Sequence, residues 1–312
     1  MEKYILTVTL NPCIDKTIEI DGFEYGGLNR ALGIRCDAGG KGINVSKVLK
    51  GFGEEALNVG FIAGSNGEFI KNYLDEKGIK HSFTKASGDT RTNYKLFDKG
   101  EKITTEINEP GFYISSEEYN EFLSDFEALL PSSDTVILSG STPPGVKLEV
   151  YSELIKLAKK GGARTILDAD SDRLKFGMDA VPYVVKPNLY ELCQYTGKTL
   201  ETEEKILKAA KSLIEKGIKL VVLSMGKDGA IFVDEKESLK TVPFEIDVKS
   251  TVGAGDTMVS AIAYGLKQGY NLEKIAAFST SAGTMTASKE GTQVAELIEV
   301  LENSDRVKVI KL

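Results

Sequence analysis

The segment STVGAGDTMVSA (residues 250–261) places a glycine-rich turn directly before an apolar run, with an acid between them. Main-chain N–H groups of Gly253, Ala254 and Gly255 at a helix start form an anion pocket, because unpaired donors and the helix dipole both favour negative charge there. A dinucleotide fingerprint is excluded. GAGDTM lacks the third Gly or Ala of G-x-G-x-x-G, and Asp256 would repel a pyrophosphate resting on the turn. An acid beside an anion pocket makes sense if the anion is a phosphoryl group in transfer and Asp256 takes the proton of an attacking hydroxyl. The alternative is that Asp256 caps the helix.

Other segments repeat the pattern of a polar or glycine-rich turn beside a strand or helix. In DAGGKGINVSKVL (37–49), Gly39 and Gly40 let backbone approach a ligand closely, Lys41 suits an anionic group and Asn44 suits a hydroxyl; alternatively the glycines serve only positive φ. Asp15 in NPCID is expected to close the first strand, where a carboxylate accepts hydrogen bonds from paired sugar hydroxyls, or else to be a turn acid after Pro12. Ser139 and Ser141 in SGSTPPG (139–145) are phosphate donors or plain turn residues. Asn188 and Glu191 in VVKPNLYEL (184–192) stand three apart at a strand-to-helix junction, so they either arrange Mg²⁺ and its waters or cap the helix. SMGKDG (224–229) offers a flexible turn to a nucleotide, and Arg91 in DTRTN clamps a phosphate from a hairpin or stands solvated.

These turns need a frame that puts them side by side. The runs 135–140, 164–170, 183–188 and 220–226 read as strands, separated by helical stretches such as 151–162 and 203–217, where Ile206, Ala209, Ala210, Leu213 and Ile214 recur at helical spacing and Gly217 is the stop. That alternation predicts an α/β fold with a doubly wound, mostly parallel sheet and helices on both faces. Residues 257–269 and 272–288 are expected to be buried helices. By contrast, residues 92–107 alternate at period two around a turn at Asp98–Glu101, and residues 17–23 alternate likewise. They suggest a small sheet standing apart, a lid over the strand ends.

Composition narrows the chemistry further. A chain of 312 residues, 41% hydrophobic and 27% charged, matches an ordinary globular protein, and its net charge of −7 argues against a nucleic-acid partner. The three cysteines, Cys13, Cys36 and Cys193, form no zinc framework, and a single histidine, His81, expected in a surface loop, leaves no material for a Ser-His-Asp triad. No run approaches the ~18 apolar residues of a membrane span, and the first residues read as a strand rather than a signal peptide. A cytoplasmic location is expected.

In order, TLNPCID, GGKGIN, TRTN, SGSTPPG, KPNLYEL, SMGKDG and TVGAGD resemble the ribokinase-like PfkB family of carbohydrate kinases, over nearly the whole chain. The resemblance implies one ribokinase-like domain spanning 1–312, with a β lid from about 13–36 and 90–110 that often mediates a homodimer. It implies ATP and Mg²⁺ as cofactors and a sugar phosphate as substrate. By matching motif positions, Asp256 would be the base and Gly253, Ala254 and Gly255 the anion hole. Asp15, Gly39, Gly40 and Asn44 would contact the sugar; Lys41, Arg91, Arg30 and Ser141 would receive its resident phosphate. Lys186, Asn188, Glu191, Ser224, Gly226, Gly229 and Thr251 would serve the nucleotide and metal. TEINEPG after TRTN is similar to the 1-phosphofructokinase branch, which implies phosphorylation of fructose 1-phosphate at its 6-hydroxyl. Rival readings are tagatose-6-phosphate or fructose-6-phosphate as acceptor with the sugar reversed, and a non-catalytic sugar-phosphate sensor. Two departures from the family pattern, Met225 in SMGKDG and the stretch SDRLK, are not expected to touch the chemistry.

Overall fold

The computed structural model describes residues 3–291 and 293–312. Its strands are β1 (Tyr4–Thr9), β2 (Cys13–Ile20), β3 (Gly33–Gly39), β4 (Ala56–Ala63), β5 (Lys80–Ala86), β6 (Arg91–Asp98), β7 (Ile103–Asn108), β8 (Ser133–Ser139), β9 (Arg164–Asp168), β10 (Val184–Val185), β11 (Leu220–Ser224), β12 (Ala230–Val233), β13 (Ser238–Val242) and β14 (Lys308–Lys311). Ten of them form one sheet in the order β14-β13-β12-β11-β10-β9-β8-β1-β4-β5. From β11 to β5 every neighbouring pair is parallel, while β12, β13 and β14 add an antiparallel edge.

Alternate residues of the central strands enter two different cores. Leu6, Val8, Val136, Leu138, Leu167, Val185, Val221 and Leu223 pack on one side with Phe61, Phe122, Phe126 and Tyr151. Ile5, Ile137, Ile166, Val184 and Val222 pack on the other with Val45, Leu49, Val259 and Ile262. Burial on both faces is why these strands read as unbroken apolar runs. Helices occur where helical spacing placed them, at Val150–Lys160, Glu203–Glu215, Ala254–Lys267 and Leu272–Ala287. Among the described residues, no helix is long and apolar enough to cross a membrane.

A second sheet, ordered β3-β2-β6-β7, stands apart. Its register sorts side chains by period two. Ile34, Ile18 and Leu96 align in one row and Cys36, Lys16, Tyr94 and Ile107 in the next row of the same face; Arg35, Thr17, Lys95 and Glu106, then Asp37, Asp15, Asn93 and Asn108, align on the opposite face. One face is largely apolar and the other polar. The apolar face is open to solvent at Ile34 (60%), Ile103 (57%) and Ile107 (55%). Asp98 ties the hairpin turn to the loop after β2, its carboxylate accepting from the main-chain N–H groups of Gly22, Phe23, Gly100 and Glu101, which hold its pKa down.

Three expectations need correcting. Asp15 does not close the first strand: β1 stops at Thr9, the chain leaves the large sheet at Asn11-Pro12, and Asp15 is the third residue of β2 in the small sheet. The run 183–188 shrinks to two strand residues, because Pro187 has no N–H to give and Asn188 starts a helix. His81 sits in edge strand β5, not a loop, with Nε2 3.0 Å from Asp75 Oδ1.

The end of β8 is held by one buried hydroxyl. Tyr151 Oη donates to the carbonyl oxygens of both Ser139 and Gly140, at 2.9 Å each. Tyr151→Phe leaves those carbonyls without that donor, and is expected to lower unfolding free energy by about 1–3 kcal/mol, measured by urea denaturation.

Candidate active site

Gly253, at φ 80, is the N-cap of the Ala254–Lys267 helix, so the turn requires the left-handed region that glycine adopts freely. A Cβ there would meet nothing within 4 Å, so the turn has an open side. Gly255 and Asp256 follow as second and third helix residues, whose N–H groups no helix carbonyl can accept. Asp256 does not cap this helix. Its Oδ2 instead accepts from Asn44 Nδ2 at 2.8 Å, across to the Lys41–Gly51 helix. With the residue only 7% exposed, burial pushes the Asp256 pKa up to about 6, Lys41 pulling it down and Asp168 adding to the rise.

Asp168, the last residue of β9, is the centre of charge and went unread in the sequence. Its Oδ2 lies 3.2 Å from Lys41 Nζ and its Oδ1 3.0 Å from Lys186 Nζ. Burial acts to raise its pKa, but the two ammonium groups win and hold it down; Asp168 in turn raises that of Lys41. The available signal was positional, an acid at the C-terminal end of a buried parallel strand, where ligands bind in such sheets. Lys186 also reaches the anion turn, its Nζ 3.8 Å from where Gly255 would carry a Cβ.

Asn188 and Glu191 form a capping box: Glu191 N donates to Asn188 Oδ1, and Asn188 N donates to Glu191 Oε2, both at 2.8 Å. Burial raises the Glu191 pKa, and its carboxylate also feels Asp168, Lys186 and Lys41, so the helix start faces the charge cluster. Among the described residues no group of three or more His, Cys, Asp or Glu is arranged to hold a metal. Asn188 and Glu191 thus cap the helix, and the one carboxylate here, with waters and substrate phosphates, is a set through which Mg²⁺ is commonly bound. Ser224 ends β11 and donates its N–H to Pro187 O; Gly226, at φ +58, has open space around it, and the Thr251 carbonyl accepts from Ala254 N. Gly229 has a structural need: a Cβ there would sit 1.9 Å from Thr241 O of β13.

On the sugar side the glycine loop packs on its own chain. A Cβ at Gly39 would lie 2.5 Å from Asp15 Oδ2, and one at Gly40 would lie 2.6 Å from Thr9 Cγ2. Asp15 Oδ2 pairs with Lys95 Nζ at 3.2 Å, a partner the sequence reading missed. Arg91 is not a solvated side chain. It donates to Asn11 O through Nε and Nη2 and to Glu109 O through Nη1, pinning the end of the small sheet to the first loop. Asn11 Nδ2 donates to Ser141 Oγ at 3.3 Å. Lys41 and Arg91, expected to flank one phosphate, therefore meet different partners. Arg30 is not brought in at all: it lies exposed in the loop joining Ile20 to Gly33, at the end of the small sheet opposite the Cys13–Gly39 and Cys13–Arg91 pairs. SDRLK, by contrast, does reach this region, because Arg173 lines a cavity with Arg91 and Ser141.

Residues 8–298 match the pfkB family carbohydrate kinases. The chain belongs to that family. It is 36% identical over 286 residues to 1-phosphofructokinase of Borreliella burgdorferi, covering 91% of this chain and 92% of that one. It is 35% identical over 309 residues to 1-phosphofructokinase of Bacillus subtilis, covering 99% and 100%. Among solved structures it superposes on phosphofructokinase-2 from Escherichia coli in complex with potassium with a TM-score of 0.93, at 28% identity and covering 98% and 99% of the two chains. As a pfkB kinase it is a phosphotransferase acting on a hydroxyl acceptor.

The buried Asp168 charge is held by two lysines, one of them, Lys186, with a side chain only 7% exposed. Asp168→Ala leaves that ammonium without its counter-charge, and a loss of about 3 kcal/mol is expected in urea unfolding.

Proposed function

We propose that this protein transfers the terminal phosphoryl group of ATP to the 6-hydroxyl of fructose 1-phosphate, giving fructose 1,6-bisphosphate and ADP in the cytoplasm. The observation that carries the reading is Asp256: a buried carboxylate, not used for capping, beside an open anion turn, its pKa pushed by burial up to about 6. The choice of sugar rests on the 1-phosphofructokinase relatives. In the transfer the sugar oxygen bonds to phosphorus, the bond to the ADP oxygen breaks, and the hydroxyl proton goes to Asp256. Asn44 holds that carboxylate in place through its 2.8 Å hydrogen bond. The N–H groups of Gly253 and Gly255 receive charge developing on the moving group, while that of Ala254, expected to join them, is held by Thr251 O at 3.3 Å. Lys41, beside Asp168 and acting on Asp256, serves the transferring phosphoryl rather than the resident one. Asn188 and Glu191 would hold Mg²⁺ through its waters, and the ion would supply positive charge against the nucleotide phosphates.

The polar face of the small sheet, carrying Asp15, Lys95 and Asn93, closes over the sugar as a lid. Its apolar face is the natural seat of a second copy, since a patch containing Ile34, Ile103 and Ile107 is costly to leave in water. A homodimer is therefore expected. A monomeric mass by light scattering, with full activity at the same concentration, would overturn the lid-to-lid arrangement.

Asp256→Asn keeps the shape but cannot accept a proton, so kcat is expected to fall at least about 10²-fold while ATP and sugar-phosphate binding persist. Wild-type kcat should decline as pH drops through about 6, where Asp256 becomes protonated in the fold. The folded pKa lies above the unfolded value, so the charged form lowers stability as pH rises from about 4 to 6. Asp256→Asn removes that charge and should not lower Tm. A variant that is both stable and fully active would refute the base.

A further inference from the structure

Resting on that reading, the cavity beside Ser141 can be resolved one residue further. It is an open cavity of about 430 Å³, walled by Asn11, Arg91, Ser141, Thr142 and Arg173 among others. Arg173 lies on the Ser171–Asp179 helix, 32 residues after Ser141, and the two walls meet only through the fold. Its Nε donates to Thr142 Oγ1 at 2.7 Å and its Nη1 to Asp170 Oδ1 at 3.4 Å. The side chain is 22% exposed, so the guanidinium is fixed at the cavity wall rather than swept through solvent.

Arg91, the basic residue expected to bind phosphate here, has three of its donor contacts committed to main-chain carbonyls. Arg173 has two commitments, both to side chains, and a guanidinium carries five N–H donors. The Thr142 bond also aims it: with Nε held, the plane and its outer edge are set, which suits fork-like recognition of phosphate oxygens. The two acids nearby offset little. Glu109 Oε2 is engaged by Thr92 N at 2.9 Å, and the Asp170 side chain is 53% exposed, so solvent screens it.

We propose that Arg173 is a specificity residue: with Ser141 and the remaining donors of Arg91 it binds the phosphate monoester already on the acceptor sugar, and so sets the preference for a phosphorylated over an unphosphorylated ketose. This dianion lies at the far end of the sugar from the hydroxyl that reacts. Arg173 thus acts on binding of the acceptor and not on the proton transfer.

The test compares wild type, Arg173→Ala and Arg173→Lys with fructose 1-phosphate, fructose and ATP as varied substrates. Arg173→Ala should raise KM for fructose 1-phosphate about 10- to 100-fold, the loss of a charge-assisted contact, with KM for ATP changed less than about twofold and kcat/KM for fructose unchanged. Arg173→Lys should recover part of the loss, since a point charge replaces a fork. The rise in Tm caused by fructose 1-phosphate should shrink in Arg173→Ala while the rise caused by ATP persists, a readout that does not depend on turnover. Equal losses for both sugars and ATP, a raised KM for ATP alone, or an unchanged preference in Arg173→Ala would each overturn the inference. If wild type itself shows no preference for the phosphorylated ketose, the sugar-phosphate reading fails first, so the two failures are distinct.

Discussion

A carboxylate buried where water barely reaches is the constraint on which the charge cluster around it depends. Asp256 gains its basicity from burial, and that same burial makes its charge costly unless positive groups stand near. They are supplied by a second buried acid. Asp168 draws Lys41 and Lys186 together from two different elements, so the cationic charge is already in place before any phosphate arrives. Preorganised charge of this kind does not have to be gathered at the moment of reaction.

Holding that arrangement requires two helices to meet at a set height above the sheet. The Lys41–Gly51 helix is keyed to β1 and β4 by buried polar contacts: Thr7 Oγ1 lies 2.7 Å from Ser46 Oγ, and Asn58 Nδ2 donates to Ser46 Oγ at 2.6 Å. The Ala254–Lys267 helix leans on it, Ser260 Oγ donating to Val45 O at 3.3 Å. Buried polar groups tolerate few alternatives, because each must keep its partner. Asn44 therefore meets Asp256 as a consequence of packing along the whole helix pair.

The small sheet answers a different demand. One of its faces is polar, with Asp15 and Lys95 paired, while the other is apolar and partly exposed. The Gly64–Glu76 helix covers only the Ile14 and Ala38 end of that apolar face, and leaves Ile34, Ile103 and Ile107 open. Arg91 fastens the sheet to the first loop through main-chain carbonyls, which explains an arginine at this spot apart from any ligand.

By itself the sequence determined the alternation of strands and helices, the separate period-two hairpin and the turns at Gly253 and Gly40, because each depends on neighbours within a few residues or on burial that leaves a local imprint. It also placed Asn44 and Asp256 in turns suited to chemistry. Only the tertiary structure decided which of those turns share a site. Asp168 meets Lys41 across 127 residues and Asn44 meets Asp256 across 212, and no local pattern encodes such a separation. The same limit sent Arg30 to the far end of the small sheet and brought Arg173, dismissed in its segment, to the wall beside Ser141. Local spacing sets which way a side chain faces on its own element; the stacking of elements, settled by burying both faces of the sheet at once, sets what it faces.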